Sequence, residues 1–236
     1  QYRCGYLHFL RFLRGGLPRG RDQRRITESG GHGAAVPFFI LSMLKLDDLL
    51  VGGMKIYQDD GLYKFTSDSV LLSRFARAKK EDVVADFCAG SGIVGLHFYA
   101  LNRPLVKSVT LFEMQKELCA LAEKSVAYNA LGGVFFVRNE KIQAIPAAYN
   151  GKFSLILCNP PYYPAADAAG KDFAAEACRY ELTITPEEIA AAAARCLKYG
   201  GRLCVACLAG RLAEMICVLK KRRLEPKRLK LFSGGG

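Results

Sequence analysis

The sequence predicts an α/β domain in which a mainly parallel sheet carries helices on both faces. Its 236 residues, of which 51% are hydrophobic and 24% charged, suit one moderately large globular core and exclude collagenous and wholly disordered chains. Short runs rich in β-branched and aromatic residues alternate with segments of helical periodicity. Strands separated by helices are joined by right-handed crossovers, so neighbouring strands run parallel.

The predicted strands are short and apolar, as expected of strands that are buried on both faces. In chain order they cover residues 81–87, 108–113, 134–137, 153–158, 202–208 and 228–232. The sequence contains no internal repeat.

Helical segments fill the gaps around these strands. Thr66 or Ser67 can cap a first helix, whose buried face consists of Leu71, Leu72, Phe75 and Ala76. By itself this is a packing helix. Residues 116–130 form a second predicted helix, with one face built from Leu118, Ala122 and Val126.

A further helix begins with a strong local signal. Thr185 is its predicted N-cap, Pro186 occupies the first helical position, and Glu188 completes a capping box. Gly200 and Gly201 are expected to end this helix.

Composition divides the chain near residue 43. Residues 1–42 are rich in glycine and arginine and show no sustained period after a short apolar patch, so we expect a disordered or non-native extension. Residues 43–236 form the predicted folded domain.

Positive charge is concentrated at the two ends of the chain. Of the net charge of +12, +5 lies in residues 1–42 and +6 in residues 217–236. A basic segment beside a near-neutral domain suggests a polyanionic partner, because Lys and Arg neutralise phosphates. A solvated surface helix with a basic tail is the alternative interpretation.

The cysteines and the longest apolar stretch bear on location. Nine cysteines in mostly apolar surroundings are typical of reduced thiols in a cytosolic protein. Cys204 and Cys207 have the spacing of a metal or redox pair, but in a strand they face opposite sides. The stretch 36–41 is far shorter than the roughly 20 residues that span a bilayer. We therefore expect a cytoplasmic protein without a membrane span, a metal or an export signal.

A glycine-rich turn follows the strand at 81–87. In an open parallel sheet, ligands bind at the carboxyl ends of the strands, where Gly90 and Gly92 permit a tight turn. Residues 90–95 fit the dinucleotide fingerprint, but Asp86 stands four residues before Gly90. A carboxylate there suits a cationic ligand such as S-adenosylmethionine better than a pyrophosphate.

A second acidic residue ends the next strand. Glu113 can accept hydrogen bonds from both ribose hydroxyls of a nucleoside, and Met114 can lie against its adenine. NAD and S-adenosylmethionine share this requirement, so Glu113 does not distinguish between the two ligands.

An Asn-Pro-Pro-Tyr loop follows the apolar strand at 153–158. Its prolines hold the loop extended, and the Asn159 side-chain oxygen beside the Pro160 carbonyl forms a pair of acceptors for a planar NH2 group. Tyr162 adds a face on which a flat group can stack. The predicted catalytic residues are therefore Asn159, Pro160, Pro161 and Tyr162.

These parts permit methyl transfer to an amide or exocyclic amino nitrogen. Such a nitrogen is a poor nucleophile because its lone pair is delocalised. Two acceptors that grip its hydrogens would bias it toward a tetrahedral shape and free the lone pair for in-line attack. A base within a duplex would first have to be unpaired or flipped.

With these residues in view, the chain resembles the Rossmann-like S-adenosylmethionine-dependent methyltransferases that carry Asn-Pro-Pro-Tyr. More narrowly it is similar to the bacterial tRNA adenine-N6 methyltransferases that modify adenine 37 of a valine tRNA. The resemblance rests on residues 65–72, 159–162, 179–181 and 225–228. It implies a monomeric enzyme whose cofactor is held by Asp86, Gly90, Gly92 and Glu113, with residues 65–72 covering the cofactor pocket.

The sequence departs from that family at two places. After the third strand the family usually has an Asp that contacts the adenine amino group, and Glu140 is the nearest match here. Such folds also finish with a hairpin whose last strand inserts antiparallel beside the fifth strand, whereas this sequence stops after one strand of it. We therefore expect an incomplete C-terminal hairpin and an unpaired sheet edge.

Three other functions stay open at this point. A glutamine-N5 methyltransferase of a release factor also uses Asn-Pro-Pro-Tyr, although such enzymes usually carry a helical N-terminal domain. An rRNA guanine-N2 methyltransferase is a second alternative. The third is a binding module that retains the cofactor pocket and the basic segment without turnover.

Overall fold

The computed structural model describes the backbone of residues 5–12 and, in full, residues 44–60, 62, 67–161 and 184–232. Its strands are β1 (Gly5–Phe12), β2 (Leu44–Asp48), β3 (Lys55–Asp59), β4 (Asp82–Phe87), β5 (Val106–Glu113), β6 (Phe135–Asn139), β7 (Phe153–Cys158), β8 (Leu197–Leu208) and β9 (Leu224–Leu231). Its α-helices are α1 (Ser67–Phe75), α2 (Ile93–Asn102), α3 (Lys116–Tyr128), α4 (Pro186–Cys196) and α5 (Leu212–Lys221). Helices thus follow strands in the predicted alternation.

Seven of the strands form one sheet with the order β6-β5-β4-β7-β8-β1-β9. Every neighbouring pair in this sheet runs parallel. The predicted α/β class with a mainly parallel sheet is therefore confirmed. Strands β2 and β3 form a separate antiparallel hairpin. This hairpin is bonded to α3, since Ser125 Oγ accepts from the Tyr57 N–H at 2.9 Å.

Two apolar clusters cover the two faces of the sheet. One contains Phe87, Phe112 and Phe153 and packs against α4 and α5, and the other contains Leu111 and packs against α1, α2 and α3. Alternate residues of one strand enter different clusters because successive side chains point to opposite faces.

The two cysteines of β8 follow this alternation. Cys204 belongs to one cluster and Cys207 to the other, so their thiols lie on opposite faces of the sheet as predicted. Burial raises the pKa of each thiol to about 12. Across the described residues, no group of three or more His, Cys, Asp or Glu side chains could hold a metal ion.

The sheet differs from the expectation at the slot between β8 and β9. β1 lies in this slot and pairs in parallel with both neighbours, so the strand expected to be unpaired has a partner. The backbone of residues 5–12 forms β1, and the rest of segment 1–42 is outside the described residues, so the expectation for this segment as a whole stays a prediction. The domain boundary at residue 43 stays a prediction.

The end of α4 also differs from the prediction. The capping box of Thr185 and Glu188 is present, but the helix ends at Cys196 rather than at Gly200. β8 begins directly at Leu197, and Gly200 lies inside that strand with a φ of 70°. The positive φ, which favours glycine, accompanies an irregularity in the β7–β8 register rather than a helix end.

A buried ion pair ties the amino ends of three strands together. Arg202 on β8 donates to both carboxylate oxygens of Asp82 on β4 at 2.6 Å, and Ser154 Oγ on β7 donates to Asp82 at 2.7 Å. This network lies at the edge opposite the glycine-rich turn, which leaves the carboxyl edge for ligands.

Candidate active site

A cavity of about 810 Å³, open to solvent, lies at the carboxyl ends of β4, β5, β6 and β7. The glycine-rich turn after β4, the segments that follow β5 and β6, and the Asn-Pro-Pro loop all line it. Its wall includes Ser69, Cys88, Gly90, Glu113, Met114, Glu140, Lys141, Ile142, Asn159, Pro160 and Pro161. The structure therefore brings three sequence-predicted motifs to one place.

Asp86 is fully buried at the end of β4. Its Oδ2 accepts a hydrogen bond from the Gly95 N–H at 2.8 Å, and its Oδ1 has no hydrogen-bond partner among the described residues. Burial raises the pKa of this carboxyl to about 8, against the opposing effect of the Gly95 bond. An unpartnered buried carboxylate oxygen favours a ligand that brings a hydrogen-bond donor or a positive charge.

Glu113 at the end of β5 is buried and bonded to backbone. Its Oε2 accepts from the Gly90 N–H and its Oε1 from the Gln115 N–H, both at 2.8 Å. Burial raises the pKa of Glu113, and these backbone bonds partly oppose that shift. Each carboxylate oxygen has a second lone pair, so Glu113 can still accept ligand hydroxyls.

The turn between β4 and α2 needs small residues for steric reasons. A Cβ on Gly95 would lie 2.7 Å from Leu111 Cδ2 and 3.3 Å from Asp86 Oδ2. Gly92 has a φ of 91°, and its added Cβ would lie 2.9 Å from Leu111 Cδ1. Both glycines therefore allow α2 to approach β5 closely while Asp86 stays in place.

At the end of β6, the side chain that supports the loop after β5 belongs to Asn139, whereas the sequence pointed to Glu140. Glu140 lines the cavity, and its backbone N–H bonds the Glu113 carbonyl at 3.0 Å. Asn139, which the sequence reasoning did not select, donates to the carbonyls of Glu113 and Met114 at 3.1 and 3.0 Å. The signal for Asn139 was its position at the end of a strand, where polar side chains can hold a neighbouring loop.

The Asn-Pro-Pro loop faces the same cavity. Asn159, Pro160 and Pro161 all line it, and Asn159 Nδ2 donates to Ser69 Oγ at 3.1 Å. Ser69 lies in α1, within the stretch 65–72 that the resemblance places over the cofactor pocket. Tyr162, like residues 179–181, lies outside the described residues.

A smaller cavity of about 290 Å³ lies on the other side of the prolines. Pro160 and Pro161 also line this space, together with Pro186, Leu208 and Met215 among others. At its rim Arg211 binds Glu214 in a two-point ion pair at 2.8 and 2.7 Å. The proline loop thus separates the two cavities at the carboxyl edge.

The basic segment at the end of α5, residues 220–223, lies at the other edge of the sheet. Helix α5 starts after the carboxyl end of β8 and returns to the amino end of β9, which runs parallel to β8 through β1. Its ten residues span about 15 Å. The exposed residues Lys220, Lys221, Arg222 and Arg223 therefore sit away from the cavity.

The residues of the large cavity fit S-adenosylmethionine. Glu113 lines the cavity and can take hydroxyls, and glycines leave room for close approach. Asp86 is not among the residues that line the cavity, but it lies two residues before Cys88 in the wall, and its Oδ1 is a buried acceptor that has no partner among the described residues. Ile142 and Met114 supply apolar wall for a flat ring. Near β7, Asn159 supplies a polar part of the wall. Its side chain suits the binding of a second molecule beside the cofactor.

Comparison with known proteins agrees with this geometry. Residues 65–211 match the family described as the methyltransferase small domain. The chain is 29% identical over 143 residues to the tRNA1(Val) (adenine(37)-N6)-methyltransferase of Salmonella arizonae, covering 60% of this chain and 57% of that one. It is 33% identical over 102 residues to the release factor glutamine methyltransferase of Leptospira interrogans, covering 42% and 34%. The chain thus spans little more than half the length of the tRNA methyltransferase it matches.

A solved structure with a similar fold is the SAM-dependent O-methyltransferase of Thermotoga maritima, at 17% identity and a TM-score of 0.48, covering 68% of this chain and 51% of that one. The matched span of the family includes the glycine-rich turn, Glu113, Asn159 and the segment that leads into α5. In the described part of the chain, every helix is too short or too polar to traverse a bilayer. On the family match and the site that it encloses, the chain belongs to the methyltransferase small domain family.

Proposed function

We propose that this domain transfers a methyl group from S-adenosylmethionine to the exocyclic N6 of an adenine in RNA, with adenine 37 of a valine tRNA as the substrate. One observation carries the proposal: Asn159 and Pro160 line the same cavity as the buried carboxyl of Glu113, and the buried Asp86 lies two residues before Cys88 in its wall. Acceptors for a planar amine and a pocket for a cationic nucleoside therefore open into one space.

The residues of this chain divide the work between them. S-adenosylmethionine, when bound, supplies an electrophilic methyl group on a sulfonium. Asp86 and Glu113 hold the cofactor, while Asn159 Oδ1 and the Pro160 carbonyl accept the hydrogens of the target nitrogen. The gripped nitrogen is biased toward a tetrahedral shape, so its lone pair can attack in line. As the nitrogen gains the methyl group, the sulfonium C–S bond would break with its electron pair left on sulfur, and the nitrogen would release one proton to solvent.

Two observations support RNA as the substrate class. The relatives from Salmonella arizonae and Citrobacter koseri, 29% and 27% identical, are both named for adenine 37 of a valine tRNA. The chain also carries a net charge of +12, which favours a polyanion. We expect the target adenine to stack on Tyr162 and the enzyme to act as a cytoplasmic monomer.

The second candidate is methylation of a glutamine amide in a release factor. The 33% identity to a release factor glutamine methyltransferase favours it, although that match covers a shorter part of the chain. The chemistry is shared, because a carboxamide nitrogen also presents two hydrogens to the acceptors at Asn159. An rRNA guanine-N2 substrate would use the same acceptors.

The test is transfer of labelled methyl groups from S-adenosylmethionine to bulk tRNA, to rRNA and to purified release factor. Nucleoside mass spectrometry of the labelled tRNA then identifies the product, and N6-methyladenosine is the expected one. Label in release factor without label in RNA would establish the protein substrate instead. Cofactor binding without transfer to any of these substrates would leave a binding module.

A further inference from the structure

Ser69 touches the acceptor loop from a distant part of the chain. It is the third residue of α1, only 2% exposed, and its Oγ accepts a hydrogen bond from Asn159 Nδ2 at 3.1 Å. The two residues are 90 positions apart in the sequence. Both line the large cavity, so the contact lies in its wall.

The helix that carries Ser69 is held on several sides. Ser73 Oγ lies 2.7 Å from His97 Nδ1 on α2 and 2.7 Å from the Val70 carbonyl. Burial lowers the pKa of His97, which favours the neutral imidazole in this contact. Further along α1, the Arg228 guanidinium on β9 lies 4.1 Å from the centre of the Phe75 ring. These contacts leave α1 little freedom to shift.

The partner of α1 is the helix that follows the glycine-rich turn. α2 begins at Ile93, immediately after Gly92, and its Gly95 N–H bonds Asp86. A rigid α1–α2 pair therefore has the cofactor turn at one end and Ser69 near the Asn-Pro-Pro loop. The bond to Ser69 therefore positions Asn159 relative to the same pair of helices that orients the cofactor side of the cavity.

We propose that Ser69 is a positioning residue that holds the amide nitrogen of Asn159 toward α1, so that the amide oxygen is presented to the target nitrogen. The inference rests on the proposed function. A carboxamide is planar with its oxygen and nitrogen on opposite branches, so bonding the nitrogen to Ser69 sets the direction of the oxygen. Rotation of the amide would place NH2 donors against the substrate's own N–H donors and remove the grip.

The kinetic test uses Ser69→Ala with two companion variants. Ser69→Thr retains the hydroxyl, and Ser108→Ala removes a half-buried hydroxyl near the amino end of β5, at the edge away from the cavity, as a matched control. We expect Ser69→Ala to lower kcat about 10-fold to 100-fold, because a misplaced acceptor costs orientation in the transition state. The Kd for S-adenosylmethionine should stay within about twofold, since the cofactor's own ligands are unchanged. Ser69→Thr should recover most of kcat, and Ser108→Ala should match the wild type.

A second readout does not depend on turnover. In 15N-labelled protein, the side-chain NH2 signals of Asn159, assigned through their loss in Asn159→Ala, should shift in Ser69→Ala and stay in place in Ser108→Ala. An unshifted pair of signals would overturn the contact. A loss of kcat in Ser69→Ala that comes with equal losses of cofactor affinity and thermal stability would overturn the positioning role. If the wild type methylates none of the substrates, the proposed function fails, and the NMR comparison still decides whether Ser69 holds Asn159.

Discussion

The carboxylate of Glu113 accepts a hydrogen bond from the backbone N–H of Gly90 at 2.8 Å. The acidic residue at the end of β5 therefore orders the turn after β4, in addition to facing the cavity. Its other oxygen binds the Gln115 N–H, so one side chain ties two loops of the site together. Hydrogen bonds join the loops around the cavity to one another, and the sheet holds these loops in place. Single substitutions in the loops should therefore have separable effects on binding and on turnover.

Substitutions at Asp86 and Asn159 should separate binding from turnover. We expect Asp86→Ala to weaken S-adenosylmethionine binding by roughly 10-fold to 100-fold, the range of a hydrogen bond to a charged group. Asn159→Ala should remove measurable methyl transfer and leave the cofactor Kd nearly unchanged, because its amide faces the acceptor side. Isothermal titration and a methyl-transfer assay on the same preparations measure both quantities. Equal loss of cofactor binding in both variants would contradict these roles.

Cofactor affinity should depend on pH through Asp86. Burial raises the pKa of this carboxyl to about 8, so at pH 7 it is mostly protonated when the cavity holds no ligand. A cationic ligand favours the carboxylate, so binding should release a proton. Affinity should then rise up to roughly tenfold per pH unit below the pKa and level off above it. Titrations at four pH values from below to above this pKa test the expectation, with Asp86→Asn as the control whose profile should be flatter.

The same group should make the ligand-free protein less stable as pH rises. Asp86 has an ordinary pKa of 3.8 and a pKa of about 8 in the fold, so the folded chain binds more protons between these values. The contribution of Asp86 to the free energy of unfolding is therefore largest below its ordinary pKa, falls between the two pKa values, and is constant above the higher one. Urea unfolding across this range should show the slope in the wild type and a smaller slope in Asp86→Asn. An identical slope in both proteins would rule out Asp86 as its source.

Neutralising the basic segment at the end of α5 should change RNA affinity without changing chemistry. The double variant Lys220→Gln/Lys221→Gln removes two exposed charges at the edge away from the cavity. We expect weaker tRNA binding, a salt slope reduced by about 0.7–0.9 for each phosphate that is no longer neutralised, and an unchanged kcat at saturating tRNA. Lys116→Gln/Lys124→Gln on α3 has the same net charge and serves as the control. If the two double variants change tRNA binding equally, the basic segment at the end of α5 is a solvated surface without a specific role in RNA binding.

Breaking the buried ion pair should destabilise the fold. Asp82 and Arg202 are nearly inaccessible, so Asp82→Ala leaves the Arg202 charge buried without its carboxylate. We expect the free energy of unfolding to fall by about 3–5 kcal/mol. Lys107→Gln removes the exposed pair with Glu81 and should cost less than about 1 kcal/mol. Comparable losses in the two variants, measured by chemical denaturation, would contradict the importance of burial here.

Local signals explain why so much of the sheet was predictable. β4 and β7 begin within one residue of the predicted bounds and end where predicted, since apolar runs of β-branched and aromatic residues specify buried strands. The Thr185 capping box is present because its hydrogen bonds join residues three apart. Asp86, Gly90, Glu113 and Asn159 could be selected from sequence because each follows or ends a predicted strand, and the ends of parallel strands meet at one edge.

Local sequence patterns could not predict the long-range contacts. No local period indicates that residues 5–12 pair with β8, nearly two hundred positions later, or that Gly200 lies within a strand rather than at a helix end. Nor does any spacing join Ser69 to Asn159, since their contact depends on how α1 packs over the sheet.

The sequence by itself determined the elements, their alternation and the chemical groups at the strand ends, because propensity, capping and hydrophobic pattern act over a few residues. Only the tertiary structure decided which strand fills the slot beside β9, that the basic segment at the end of α5 lies at the edge opposite the cavity, and which side chain holds the Asn159 amide. Those outcomes depend on how segments that are distant in the sequence pack against one another and bury apolar surface. The free energy of that packing is a property of the whole folded chain and not of any one segment.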